Sequence, residues 1–213
     1  MKVKYITDKK YDEQVVIQMQ RLDKKRAADL VVQQYKKNKN LISKKIKDYQ
    51  KSWDKINDVF FREIENITGK KWKYKIYEVV LSPINKGISS LGGNKVIRSA
   101  FEDPEEQKRI TAHEILMSHL WNIFFELYPE SRKDENHSFW ALNEITTTAI
   151  LGLEPKINFL WTKSTKGFDQ YLKNYPQLKI LKEKLKKEYL NKISFEDYIK
   201  KALDLIKNKS IVN

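Results

Sequence analysis

Cysteine is absent from the sequence. This excludes disulfides and thiolate metal sites, and leaves histidine and carboxylate as the only side chains able to hold an ion tightly. Six glycines and five prolines in 213 residues are too few for a protein built of many short turns, so long helices are expected to dominate. No apolar run approaches the ~20 residues of a membrane-spanning helix. The N-terminal stretch MKVKYITDKKYDEQ lacks the apolar core of a signal peptide. The expectation is a soluble, cytoplasmic protein. There is no Gly-x4-Gly-Lys phosphate loop, no Gly-x-Gly-x-x-Gly after a strand and no Gly-x-Ser-x-Gly elbow, so neither nucleotide cradling nor serine-hydrolase chemistry is indicated. Histidine occurs three times, and all three fall between positions 113 and 137.

Hydrophobic residues make up 40% of the chain and aromatic residues 12%, enough to require a packed interior despite a charged fraction of 33%. The length fits one domain over 1–213, with N-terminal helices (1–69), a middle region (70–152) and C-terminal helices (153–213). The net charge of +14 admits an acidic partner such as nucleic acid or anionic lipid. The excess is mostly lysine spread along the chain, however, and interleaved glutamate in LKILKEKLKKEYLNK favours an ordinary solvated face. The aromatic-and-basic stretch KKWKYKIY can be read as a base-stacking surface or as a sheet edge with lysine outward; the second is preferred.

Apolar residues from Val15 to Val31 recur at helical spacing and predict a helix over about Asp12–Lys37. A second amphipathic stripe, including Ile42, Trp53, Phe60 and Ile64, predicts a partner helix ended by Thr68-Gly69. The alternation in Lys70–Leu81 predicts a strand that becomes covered on both faces at Tyr77–Leu81. Gly87–Phe101 predicts one or two short strands around Gly92-Gly93-Asn94. Asp103-Pro104-Glu105-Glu106 is a helix start, predicting a helix from Pro104 to about Tyr128. Further helices are expected near Phe139–Leu151, Phe159–Tyr175, Pro176–Leu190 and Ser194–Lys207. The fold class is therefore α+β, mostly helical, with a small antiparallel or mixed sheet packed on the Pro104 helix.

That helix carries RITAHEILMSHLWNIFFELYPE, with His113-Glu114 at its middle, and the following helix carries Asn143-Glu144 in ALNEITTTA. The order from about Trp53 to Gly152 of helix, small sheet, His-Glu helix and Glu helix resembles a compact gluzincin, a zincin metallopeptidase family. The resemblance implies a zinc site with His113 and Glu144 as ligands and Glu114 as the general base that takes a proton from metal-bound water. It also implies a peptide or protein substrate, paired with an edge strand near Ile88–Leu91.

The family motif has a second histidine four residues after the first, because positions i and i+4 share one helix face. Here Met117 stands there, and a thioether is a poor donor to Zn²⁺. His119, at i+6, lies about 240° further round the helix and faces elsewhere. His137, in the loop before the Glu144 helix, could supply the missing imidazole. The pattern thus predicts a degenerate peptidase site, a hydrolase only if the metal is retained. Two competing readings remain: a pseudoenzyme that binds peptide without cleaving it, or a basic nucleic-acid-binding helical protein. In the latter, His113, Met117, Leu120 and Phe124 form a plain core stripe.

Overall fold

The computed structural model describes residues 1–85, 87–88, 92–132, 137–158, 160 and 176–208; the side chains of 88, 137, 176–180 and 182 are outside that description. The expected helix over Phe159–Tyr175 and the expected substrate strand beyond Ile88 fall largely outside the described residues. The chain divides into two compact units, one of residues 1–59 and 74–118, the other of residues 60–73 and 119–213.

The first unit holds a four-stranded sheet in the order β1-β2-β4-β3, from β1 (Lys2–Ile6), β2 (Ile76–Ser82), β3 (Gly87–Ile88) and β4 (Lys95–Ser99). The first three in that order are parallel, and β3 closes the end antiparallel to β4, so the sheet is mixed. β1 was not foreseen from the sequence. Its five residues alternate, with Val3 and Tyr5 buried and Lys2 and Lys4 exposed, as suits an end strand. The expected strand over Lys70–Leu81 is shorter and begins at Ile76; Trp72 lies in the second unit instead. Tyr77, Val79, Val80 and Leu81 are fully buried, as the apolar run implied.

Strand alternation assigns the helices to the two faces. Ile6, Val80 and Ile97 lie on one face and pack with Val15 of α1 (Lys9–Gln20). Tyr5, on the other face, meets Tyr49 of α3 (Lys39–Asp54) at 5.8 Å between ring centroids. It also donates from its hydroxyl to Thr111 Oγ1 of α5 (Pro104–Leu127) at 3.0 Å. Helix α5 thus touches the sheet through Thr111. Its start is capped by Asp103, which accepts from the N–H groups of Glu105 and Glu106 at 2.9 and 3.3 Å.

The long N-terminal helix expected over Asp12–Lys37 is two helices, α1 and α2 (Lys24–Lys37). Arg21 adopts φ 54°, and Asp23 caps α2 by accepting from Arg26 N–H at 3.0 Å. The second stripe likewise breaks, after Asp54, into α3 and α4 (Asn57–Thr68). Gly69 follows α4 at φ +67°, and among the described residues nothing lies within 4 Å of where a Cβ would be. Gly69→Ala should therefore cost only the left-handed backbone penalty, about 1 kcal/mol, measured as a shift in the urea midpoint. A cost of several kcal/mol would mean that packing, not backbone conformation, fixes this glycine.

The second unit is helical. It takes α4 from Phe60, α5 from His119, a 3-10 turn at Pro129–Arg132, α6 (His137–Leu153), α7 (Pro155–Asn158), α8 (Pro176–Leu190) and α9 (Phe195–Lys207). Its core includes Phe60, Phe61, Ile64, Phe124, Phe139 and Tyr198, all buried. Helix α9 packs on α6 and α8, and starts at Ser194, which accepts from Asp197 N–H at 3.1 Å. The protein is a mostly helical α+β structure. Among the described residues no helix is long and apolar enough to cross a membrane.

Candidate functional site

Within the first unit, the expected base Glu114 lies on α5, half-buried, and faces the sheet. Its Oε1 is 3.8 Å from Nη1 of Arg98 on β4. Arg98 is only 4% exposed, and its Nη2 donates to Glu102 Oε1 at 2.5 Å. Among the described residues the Nε of Arg98 has no hydrogen-bond partner. Burial pushes the Glu102 carboxyl above its usual range; the Arg98 charge opposes this, while Glu106 and Glu114 add to it. Burial pulls Arg109 down, with Glu106 countering. Glu102, Glu106, Glu114, Arg98 and Arg109 therefore form one electrostatic neighbourhood at the junction of β4 and α5.

The backbone of that junction is held by hydrogen bonds of its own. Tyr49 Oη and Lys45 Nζ donate to the Glu102 carbonyl at 2.6 and 2.8 Å, and Ser118 Oγ on α5 donates to the Gly93 carbonyl. A second polar centre sets the approach to β3. Asp12 is fully buried and accepts from Ser82 Oγ at 2.9 Å and Asn85 Nδ2 at 2.5 Å. Ser82 Oγ in turn accepts from the N–H groups of Ile84 and Asn85. Burial holds the Asp12 carboxyl above its ordinary range, opposed by these hydrogen bonds.

The residues expected at a metal centre divide between the units. His113 is half-buried in the first unit, with Met117 one turn on and 3% exposed. Glu144 is buried on α6 of the second, beside Asn143, whose Oδ1 accepts from Thr147 Oγ1 at 3.2 Å. His137 is the first residue of α6, and its side chain lies outside the description. His119 is a core ring of the second unit. It stacks on Trp72 at 4.2 Å and 25° and lies 3.3 Å from Thr68 Oγ1. Burial pulls its pKa down to about 4, against a smaller opposing effect of Glu65. Among the described residues no group of three His, Asp or Glu side chains is placed to hold a metal ion; one turn on from His113 the chain offers the thioether of Met117, a poor donor to zinc.

Of this cluster the sequence singles out Glu114 as a candidate, and not Arg98, Glu102 or Gly87. An arginine directly after the apolar pair Val96-Ile97 was the available signal for Arg98. The pairing of Gly87 with Arg98 across the strands had no signal, because register is set by the folded sheet. Compared with protein-family models, curated proteins and solved structures, the chain matches none.

Proposed function

We propose that this chain is a zincin-like protein of the gluzincin type that holds an extended peptide or protein segment against the edge strand β3 without hydrolysing it. Parallel strands ending in an antiparallel outer strand, followed directly by a capped helix bearing His113 and Glu114, support the zincin part. An outer strand can pair with an extended partner through its backbone, which gives affinity with little sequence choice. The net charge of +14 favours acidic segments. The observation that carries the non-hydrolytic part is the company of Glu114 and His113: a buried thioether at i+4 and a buried guanidinium 3.8 Å from the carboxylate.

Catalytic zinc sites ordinarily have three protein donors, which makes zinc content the direct test. Protein purified without a His tag should hold clearly less than one zinc per chain by elemental analysis. Met117→His should raise zinc affinity at least tenfold, because an imidazole at i+4 faces the same way as His113. Stoichiometric, tightly held zinc in the native protein would replace this reading with that of an active peptidase using Glu114 as base. A Met117→His protein that folds but gains no zinc affinity would mean that α5 was never arranged around an ion.

A further inference from the structure

We infer that Arg98 is the resident cation of this site: a guanidinium tethered to β4 that supplies the positive charge beside Glu114 which a metal-dependent protein of this kind would draw from its ion. The functional part rests on the reading just given; the structural part stands by itself. Two carboxylates, Glu102 and Glu114, contact the same guanidinium, at 2.5 and 3.8 Å. Acidic groups so placed and largely shielded from water require a cation. Arg98 is buried, so it is not a surface residue that happens to lean inward.

The neighbouring strand is shaped for this arginine. Gly87 of β3 stands opposite Arg98 in the antiparallel register. Side chains at such paired positions leave the sheet on the same face. A Cβ on residue 87 would lie 2.1 Å from Arg98 Nη1, closer than real Cβ contacts come, and a tight 3.1 Å from Cζ. Glycine is therefore the residue that lets the guanidinium lie across the outer strand and reach toward α5. Two departures from a metal centre then have one explanation. An imidazole is missing at Met117, and a permanent cation has been added at Arg98. A methionine leaves the ion short of a donor, while the arginine removes the need for its charge.

Arg98, Gly87 and zinc can be tested together by thermal unfolding of Arg98→Met, Arg98→Lys, Gly87→Ala and the Gly87→Ala/Arg98→Met double variant, each in EDTA and in zinc chloride. Native protein should melt at the same temperature in both. Arg98→Met should melt about 10 °C lower in EDTA and regain at least half of that in zinc, since a divalent cation can replace the lost charge. Arg98→Lys should stay within about 3 °C of native, because it keeps the charge while losing the planar fork. Gly87→Ala should lower the melting temperature in the native background yet add nothing to Arg98→Met, a coupling that an ordinary packing defect would not produce. Additive losses, or an Arg98→Met protein indifferent to zinc, would overturn the inference. If Arg98→Met does not fold, equal losses in Arg98→Lys and Gly87→Ala would overturn it, and retention of stability by the lysine variant alone would uphold it. Zinc uptake by the native protein would instead strike at the proposed function, leaving the Gly87–Arg98 coupling to be judged separately.

Discussion

Acidification from pH 7 to pH 4 should cost the second unit about 3 kcal/mol through His119 alone. Its folded pKa is about 4, lowered from 6.5 mainly by burial, and each pKa unit corresponds to about 1.4 kcal/mol. The sign follows from proton uptake. Above pH 6.5 the ring is neutral in both states and has no effect. Below it the unfolded chain binds the proton first, so stability falls until the folded ring also protonates near pH 4. Carboxylates will add their own acid dependence, so the comparison is between native protein and His119→Phe, which keeps a flat ring against Trp72. The urea stability of the variant should fall by about 3 kcal/mol less between pH 7 and pH 4. The imidazole proton resonance of His119 should titrate near pH 4. A midpoint near 6.5 would mean that water reaches the ring, and the stacked, buried placement would be wrong.

Trp53→Ala should be the most damaging single substitution in the first unit, costing about 3–5 kcal/mol. The indole is fully buried, and its Nε1 donates to Asn57 Oδ1 at 3.0 Å. That same oxygen accepts from the Val3 N–H at 3.4 Å, and Asn57 Nδ2 donates to the Met1 carbonyl at 3.0 Å. Removing the indole both opens a cavity and loosens the asparagine that fastens β1. Asn57→Ala should cost about 1–3 kcal/mol by leaving the indole N–H without its acceptor. The double variant should cost less than the two losses added together. Strict additivity in urea titrations would show that Trp53 stabilises by packing alone.

The parts of the fold that were legible in the sequence are those whose signals are local. Asp103, Pro104 and the following glutamates announced α5 because capping chemistry lies within one helical turn. The Tyr77–Leu81 run announced a strand covered on both faces. What escaped depended on distant partners. β1 has only five residues and reads as a strand once Ile76–Ser82 lies beside it. The break at Arg21 has no glycine or proline to mark it, only an arginine in a left-handed conformation. Trp72 was read as part of a strand because it alternates with lysine, whereas its ring belongs against His119 and Phe61. The same division applies to the site. His113 and Glu114 are adjacent in the chain and were visible, but Arg98 reaches Glu114 only through the sheet's register and its crossing by α5.

The parallel pairing of Lys2 with Ile76 also has a kinetic meaning. The two strands are more than seventy residues apart in the chain, with α1 to α4 between them. Bringing the ends of such a loop together costs about 4 kcal/mol of chain entropy beyond a constant term, and no contact within the sheet offsets this until both strands are present. Helices α1 to α4 can form from local interactions while β1 waits for its partner. During synthesis, a strand made first must remain unpaired until β2 has emerged, with Val3 and Tyr5 open to wrong partners. The lysines that alternate with them, Lys2 and Lys4, place charge on the other face of the waiting segment, where it opposes stacking between chains. The first strand in the chain is in this sense among the last to be used.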